Sequence, residues 1–524
     1  MKRRDFCKGL AVTFAAGTLA PAAALPQAGA ATALVGRAVP DDYYTLWYRS
    51  DRCGADLRHD YYYSDSLFDH PATEYDNQLA LATLGMAAAA DCTWESDQRY
   101  WMEGEVGRAD HIRDAFAKLG FTEVQLFNYT HSLNDTPDTV GCAVARKTLV
   151  RGGRQVTIIG AFLRGSGYGA EWSGNLHAGP GSAHVGFVTA ARQLVEKIRA
   201  YVQVSAKRQP LGTLKLWMGG YSRGGGVANL VAARLPAVLL QLEKKNTFVY
   251  TFAAPASLTA ADCPDLQQDY DNNHAADGSL KKNWGTSNIF NIVSSGDVIP
   301  RILPAEWGFY RNGNDRFLPS TVIPEELQAL NDRSAGMEGT PMDFGRLAVS
   351  EETDAVLRSM LDLFCDRQTY YKGYEDAMRC MLQCATTRTE EEVTRGIVRD
   401  DAAVVAQLRS MELMQRFPQE KVERCVQAAS ALSRPVLEKL GSAVPLQAQQ
   451  IVIPMLAVGL CFELQPETVQ LVADFVLSTI TVKGQLSGIL KTVLCHFQEN
   501  YITVLEAYDP ADHGMTPYTR REEL

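Results

Sequence analysis

Apolar residues recur along this chain with two spacings, one typical of strands and one typical of helices. Short apolar runs bounded by turn residues predict strands, and apolar positions three or four apart predict helices. The predicted strands cover residues 124–127, 139–145, 156–162, 214–218, 247–252 and 289–293, and the predicted helices cover 78–90, 110–119, 185–202 and 227–235. Strands that alternate with helices predict a largely parallel sheet covered by helices on both faces, the architecture of an α/β fold.

The pattern changes after residue 304. From about residue 324 to residue 482 the sequence predicts successive helices and almost no strand. We therefore divide the chain into a short leader followed by four parts. They are an N-terminal extension leading into the core (31–138), the core itself (139–304), a helical insertion expected to pack over the core as a cap (305–485), and a C-terminal end that returns to the core (486–524).

The leader, residues 1–30, is typical of an export signal. Lys2, Arg3 and Arg4 precede a mildly apolar stretch at 9–25, and Ala-Gly-Ala at 28–30 is a small-residue cleavage site. The arginine pair favours the twin-arginine route, with an ordinary secretory signal as the alternative. Both interpretations predict a mature protein at the cell exterior or envelope surface of a bacterium.

Charge and hydropathy exclude several classes of partner. The chain carries a formal net charge of −10, and loss of the first thirty residues, with four basic residues and one acidic residue, makes it more negative. An acidic protein is poorly suited to bind nucleic acid or anionic membrane surfaces. The strongest later apolar run, at 451–462, falls short of the roughly twenty residues that span a bilayer. It predicts a buried helix, and no transmembrane segment is expected.

The cysteines do not predict a metal site. The chain has eleven, without a C-x-x-C pair, and no histidine lies near Cys380 and Cys384 on their predicted helix. We expect neither a metal nor a cofactor. The disulfide state of the ten cysteines of the mature chain stays open, as does the oligomeric state.

Residues 220–224, with the sequence G-Y-S-R-G, form the most informative motif. They fit the G-x-S-x-G nucleophile elbow, in which a serine sits on a tight turn between a strand and a helix. The predicted strand at 214–218 and the helix at 227–235 supply that context. A glycine-rich surface loop is the alternative, but the context favours Ser222 as a nucleophile.

A serine nucleophile needs a base and an acid that orients the base. In enzymes with this elbow the chain order is serine, then acid, then histidine. Asp297 follows the predicted strand at 289–293 directly and is the candidate acid. Of nine histidines, only His496 and His513 come later. His513 lies in a polar tail of a kind that is often mobile, whereas a base must be held rigidly, so we favour His496.

The tetrahedral intermediate of such a reaction needs hydrogen-bond donors for its oxyanion. One main-chain N–H is expected from Arg223, the residue after the nucleophile. The second is expected from the end of the strand at 156–162, where the sequence F-L-R-G-S runs from 162 to 166. Ser166 can add its hydroxyl, and a plain glycine-rich loop is the alternative.

Six motifs between residues 139 and 304 resemble those of class 3 (fungal-type) lipases. The segment 162–166 is similar to F-R-G-[ST], with one residue inserted, and E-W-S-G-N-L at 171–176 is similar to D-W-x-x-[ND]-[LF]. H-V-G-F at 184–187, G-Y-S-R-G-G at 220–225, F-A-A-P at 252–255 and the acid loop at 295–300 match the others. The sequence from His496 to Tyr501 resembles the H-x-P-E-x-Y ending of bacterial relatives, but has Gln498 in place of proline.

The resemblance implies an α/β-hydrolase fold with an inserted helical cap, and a Ser-Asp-His triad formed by Ser222, Asp297 and His496. It also implies oxyanion donors at Ser166 and Arg223, no cofactor, and hydrolysis of carboxylic esters, of the lipid or acylglycerol type. Fold does not fix substrate, so a peptidase, thioesterase or acyltransferase stays possible. A binding protein that keeps the hydrolase fold without turnover is the alternative outside enzymes.

Overall fold

The computed structural model describes residues 37–50, 55–91, 109–129, 138–166, 169–180, 183–259, 286–294, 297, 299–301, 303, 307, 309–319, 328, 367–386, 396–440, 446–469 and 495–508. The predicted signal at 1–30 lies outside these residues, and so does His513. Several parts of the predicted helical insertion, among them 329–366, 387–395 and 470–485, also lie outside them.

Within the described residues, seven strands form one sheet in the order β11-β9-β7-β6-β5-β4-β3. Strands β5, β6, β7, β9 and β11 are parallel, whereas β3 and β4 run antiparallel at one edge. The strands are β1 (Asp42–Arg49), β2 (Asp56–Tyr63), β3 (Thr122–Phe127), β4 (Cys142–Arg151), β5 (Arg154–Leu163), β6 (Thr213–Tyr221), β7 (Thr247–Phe252), β8 (Leu258–Thr259), β9 (Ile289–Ser294), β10 (Phe309–Tyr310) and β11 (Asn314–Leu318). This mostly parallel sheet confirms the predicted α/β class.

Ten α-helices of six or more residues accompany these strands in the described part of the chain. They are α1 (Asn77–Ala89), α2 (Asp110–Lys118), α3 (Gly169–Gly174), α4 (Val185–Arg208), α5 (Arg223–Val238), α6 (Glu375–Thr386), α7 (Asp401–Ser410), α8 (Gln419–Leu440), α9 (Leu446–Cys461) and α10 (Gln498–Ala507). A π-helical turn, Tyr370–Tyr374, leads into α6. None of the described helices is long and apolar enough to cross a membrane.

Alternating side chains of the central strands supply two separate cores, because successive residues of a strand point to opposite faces. In β6, Leu216 and Met218 pack with α4 and α5, whereas Trp217 packs on the other face with α1, α2, α10 and the β1–β2 hairpin. The Trp217 indole N–H donates to the Thr83 hydroxyl of α1 at 2.7 Å. The sheet is therefore buried on both faces, as parallel sheets require.

Helices α6 to α9 form a third apolar core with residues at the carboxyl side of the sheet, including Trp172, Leu303 and Trp307. The Tyr370 hydroxyl donates to the Leu176 carbonyl at 2.9 Å. The helix predicted from the apolar run at 451–462 is confirmed as the larger part of α9, which is largely buried. The described cysteines, Cys142, Cys380, Cys384, Cys425, Cys461 and Cys495, carry free thiols.

The structure differs from the sequence prediction in three places. The aromatic stretch before Tyr63 forms a hairpin, β1–β2, that the sequence pattern did not indicate. The glycine-rich loop at 165–181 contains α3. Strand β11 joins the sheet parallel to β9, so the core sheet continues past the boundary predicted at residue 304. Strand β11, N-D-R-F-L, has too few apolar residues to predict a strand from sequence.

A buried lysine fixes the antiparallel edge of the sheet. Lys147 of β4 has a fully buried side chain, and its ammonium donates to Asp65 at 2.5 Å and to the Leu119 carbonyl at 2.8 Å. The Tyr63 and Phe121 rings lie against the ammonium. Burial lowers the pKa of Lys147, and the Asp65 carboxylate opposes that effect. Removing one partner should therefore leave the other unpaired in an apolar environment.

We expect Asp65→Asn to lower the free energy of unfolding by about 3–5 kcal/mol, the usual range when one partner of a buried ion pair is lost. Adding Lys147→Met should recover much of that loss, because no uncompensated charge then remains. Denaturant titration measures both changes. Glu196→Gln, which breaks the exposed pair with Arg199, should change stability by no more than about 1 kcal/mol. Strictly additive effects of Asp65→Asn and Lys147→Met would contradict this account.

Candidate active site

Ser222 occupies the turn between β6, which ends at Tyr221, and α5, which begins at Arg223. Its backbone has φ 53° and ψ −125°, a conformation that non-glycine residues rarely adopt and that costs on the order of 1–3 kcal/mol. The Ser222 N–H donates to the Phe252 carbonyl at 2.9 Å, and the Ser222 carbonyl accepts from Gly226 at 3.1 Å. These bonds hold the strained conformation expected of a nucleophile elbow.

The elbow is so tightly packed that Gly220 and Gly224 have no room for a side chain. A Cβ atom at Gly220 would lie 2.4 Å from the Gly224 carbonyl oxygen. A Cβ atom at Gly224 would lie 2.4 Å from the Arg164 carbonyl oxygen. The second contact brings the end of β5 against the elbow, so that a Cβ atom on Gly165 would be 3.8 Å from the Ser222 Cβ.

The His496 side chain lies between Ser222 and Asp297. Its Nε2 is 2.9 Å from the Ser222 Oγ, and its Nδ1 is 2.8 Å from the Asp297 Oδ2. A neutral imidazole has one donor and one acceptor nitrogen, and a carboxylate can only accept. Nδ1 therefore carries the proton, and Nε2 is free to accept the serine hydroxyl. The structure thus brings together the three residues predicted from chain order and motif.

Asp297 is fully buried and accepts several hydrogen bonds. In addition to His496, the Ile299 N–H donates to Oδ1 at 2.9 Å and the Tyr501 hydroxyl donates to Oδ2 at 2.8 Å. The Tyr501 hydroxyl in turn accepts the Ser294 N–H at 3.0 Å. Burial, and secondly the Asp297 carboxylate, raise the pKa of Tyr501 well above its ordinary value, so the phenol stays a neutral donor.

Tyr501 and Tyr221 are site residues to which the sequence analysis gave no role. Tyr501 lies in the first turns of α10, and its ring packs edge-on against Tyr221. The Tyr221 hydroxyl donates to the His496 carbonyl at 2.5 Å, so it holds the main chain of the histidine. The sequence does hold a signal for Tyr501. It lies in the H-F-Q-E-N-Y segment five places after His496, on the helix that follows the histidine.

One predicted oxyanion donor, Arg223, belongs to the elbow, and the other, Ser166, lies beside it. Arg223 is the first residue of α5, where main-chain N–H groups point out of the helix end. Ser166 follows Gly165 beside Ser222, and its Oγ accepts a hydrogen bond from Asn175 at 2.9 Å. Asn175 belongs to the E-W-S-G-N-L motif at 171–176, but the sequence did not predict a role for it.

Asp91, which had no role predicted from sequence, links the end of β5 to α10, the helix that follows His496. The Gly165 N–H donates to the Asp91 Oδ1 at 2.8 Å. The Gln498 amide donates to the Asp91 Oδ2. Gln498 is the residue that departs from proline in the H-x-P-E-x-Y pattern, and its side chain makes a contact that proline could not. The segment before Ser166 and the turn after His496 are therefore tied to one carboxylate.

His184 holds the segment that carries Asn175. It caps α4, because its Nδ1 accepts the Phe187 N–H at 3.2 Å, and its Nε2 must therefore be the nitrogen that donates to the Asn175 carbonyl at 3.0 Å. The side chain is fully buried, and burial lowers the pKa of His184 to about 3. The ring thus stays neutral in the folded protein at ordinary pH.

No metal site accompanies these residues in the described part of the chain, where no group of three or more His, Cys, Asp or Glu side chains has the arrangement of a metal centre.

Comparison with known proteins identifies the core. Residues 165–307 match the model of the lipase (class 3) family. The match covers the Ser166 segment, Ser222 and Asp297, and ends before His496. No curated protein matches the chain.

Solved structures similar to this chain include fungal lipases. The Rhizomucor miehei lipase propeptide complex is 20% identical, and the match covers 46% of this chain and 68% of that chain with a TM-score of 0.31. The lipase from Rhizopus microsporus var. chinensis is 16% identical, and the match covers 47% of this chain and 75% of that chain with a TM-score of 0.30.

The parallel sheet, the elbow and the family match define a lipase-like α/β-hydrolase, in which residues 165–307 carry the similarity to class 3 lipases. It is a serine carboxylic ester hydrolase.

The pKa of His184 predicts a specific dependence of stability on pH. The unfolded histidine, with a pKa near 6.5, takes up a proton between about pH 6.5 and pH 3, whereas the folded one does not. The free energy of unfolding should therefore fall with acidification, by up to about 1.4 kcal/mol per pH unit from this residue. His184→Asn can keep the cap but cannot titrate, so its melting temperature should fall less steeply from pH 7 to pH 4 in calorimetry. A slope equal to that of the unmodified protein would contradict the assignment.

Proposed function

We propose that Ser222, His496 and Asp297 form the catalytic triad of this hydrolase. The observation that carries the proposal is the unbroken hydrogen-bond chain from the Ser222 Oγ through both His496 nitrogens to the buried Asp297. Each bond has the length required for proton transfer or for orientation of the base. The strained backbone of Ser222 supports its role as the nucleophile, because such strain clusters at functional sites.

In the proposed mechanism the Ser222 Oγ attacks the ester carbonyl carbon while His496 Nε2 takes the hydroxyl proton. Asp297 holds the imidazole in the required tautomer and stabilises the imidazolium. The oxyanion receives hydrogen bonds from the Arg223 N–H and from Ser166. His496 then returns the proton to the leaving alcohol, and a water activated by the same histidine releases the acid from the acyl-enzyme.

The proposed substrate is a lipid ester of the acylglycerol type, in keeping with the family that residues 165–307 match. No contact among the described residues specifically favours a peptide, a thioester or an acyl acceptor. A series of chromogenic esters of graded acyl length, assayed with and without an emulsified triacylglycerol, would define the chain length and distinguish a lipase from an esterase of soluble substrates.

We also propose export from a bacterial cytoplasm by the twin-arginine route. The support is the sequence around Arg3 and Arg4 together with the small-residue site at 28–30.

The triad predicts matched losses of activity. Ser222→Ala and His496→Ala should each lower kcat by about 10⁴-fold or more, because triad residues act as a unit. His513→Ala is the control and should keep normal activity against a chromogenic ester. Circular dichroism should show that all three variants are folded. Full activity of His496→Ala together with an inactive His513→Ala would assign the base to the tail, and activity in folded Ser222→Ala would remove the triad altogether.

Export by the twin-arginine route predicts that secretion needs the arginine pair. Changing Arg3 and Arg4 together to Lys should leave uncleaved precursor in the cytoplasm, measured by immunoblot of cell fractions. The control is Arg37→Lys, which lies beyond the predicted cleavage site. Normal export of the double variant would favour the general secretory route.

A further inference from the structure

The side chain of Arg223 is buried beside the proposed oxyanion donors. Only 1% of the residue is exposed, although arginine is almost never fully buried without partners. Its Nε donates to the Thr139 carbonyl at 3.0 Å and its Nη1 donates to the Asn175 Oδ1 at 2.8 Å. The guanidinium carbon lies 5.2 Å from the centre of the Phe187 ring. These contacts fix the guanidinium in one position.

The guanidinium determines which way the Asn175 amide faces. The oxygen and nitrogen of an asparagine amide have nearly the same shape, so their placement follows from their hydrogen-bond partners. Arginine has donors and no acceptor. The atom of Asn175 that faces Arg223 must therefore be Oδ1, and the Nδ2 group faces the Ser166 Oγ at 2.9 Å.

This orientation sets the polarity of the Ser166 hydroxyl. An amide NH₂ is a donor only, so the Ser166 Oγ acts as an acceptor towards Asn175. The hydroxyl proton of Ser166 is then left to be donated in another direction. The preceding residue, Gly165, lies beside Ser222, so Ser166 is close to the nucleophile.

The main chain around Asn175 is already held in place by other contacts. The Asn175 carbonyl accepts the His184 Nε2–H at 3.0 Å, and α4 holds His184. Rotation of the amide group about χ2 exchanges the positions of Oδ1 and Nδ2 without moving the main chain. A flipped amide would present Oδ1 to Ser166, and the hydroxyl would then donate to Asn175 instead of to the substrate.

We propose that the Arg223 guanidinium is a positioning residue that acts through Asn175 to direct the Ser166 hydroxyl proton to the oxyanion. The inference rests on the proposed function of Ser166, and it adds a second role to Arg223, whose main-chain N–H is the other donor. Substitution of the side chain leaves that N–H in place. Loss of the guanidinium should therefore weaken the transition state more than the binding of substrate.

A double-mutant cycle between Arg223 and Ser166 tests this role. Arg223→Met and Ser166→Ala should each lower kcat for a chromogenic ester by about 10-fold to 100-fold with little change in KM, somewhat less than complete loss of an oxyanion donor. The double variant should be no slower than Ser166→Ala, because no hydroxyl then remains to be directed. Losses that multiply would show that Arg223 acts independently, for example through its charge, and would overturn the proposal, as would a normal kcat in Arg223→Met.

Asn175→Leu provides a second test that leaves Arg223 in place. Leucine has no amide group, so nothing then directs the Ser166 hydroxyl proton. We expect kcat to fall about as far as in Arg223→Met, and the combination with Ser166→Ala should be no slower than Ser166→Ala alone. A normal kcat in Asn175→Leu would overturn the proposal even if Arg223→Met did not fold.

Two controls separate this inference from the proposed function. Arg146→Met removes another buried arginine, one paired with Glu123 at 3.0 Å, and should leave kcat unchanged. Ser222→Ala and Ser166→Ala report on the proposed function itself. If the proposed function fails, those two variants stay active. If only the inference fails, Ser222→Ala and Ser166→Ala are both impaired. In that case either Arg223→Met has a normal kcat, or its loss of kcat multiplies with that of Ser166→Ala in the double variant.

Discussion

The backbone of Ser222 is the constraint on which the rest of the site depends. A serine with φ 53° is held there by the Phe252 carbonyl and by the first turn of α5. That geometry requires the close approach of the chain at Gly220 and Gly224. The approach at Gly224 places the end of β5, and with it Ser166, beside the serine. One strained residue thus determines where the proposed nucleophile and its proposed oxyanion donors meet.

The histidine is positioned by a different part of the molecule. It precedes α10, and α10 is held by the N-terminal extension. The Glu499 carboxylate accepts from the Ser50 hydroxyl, and Glu506 pairs with His59 of β2. The Asn77 amide of α1 donates to the Leu505 carbonyl at 3.3 Å. The extension therefore belongs to the support of the base, and the β1–β2 hairpin is part of the hydrolase core in its packing.

The sequence predicted the fold where local patterns decide it and missed what distant contacts decide. The runs that became β6, β7 and β9 are apolar because both faces of the sheet are covered, so they were visible. Strand β11 has few apolar residues and is held by backbone pairing with β9, so the pattern did not indicate it. Ser222 and Asp297 lie in motifs with fixed neighbours, and chain order left two histidines, of which the structure brings His496 to Ser222. The sequence could place Tyr501 on the helix after His496, but it could not assign the contacts of Tyr501, Asp91 and Gln498, since their partners lie far away in sequence.

The contacts of α10 also bear on the order of folding. Ser50 and Glu499 are 449 residues apart, and His496 is 274 residues from Ser222. Closing loops of that length is entropically unfavourable until other contacts have formed, so such pairings come late. A nascent chain can complete the elbow and the central strands while residues near 496 are still in the ribosome. Under the proposed mechanism such a chain holds a serine without a base, so ester hydrolysis begins only when synthesis has passed α10.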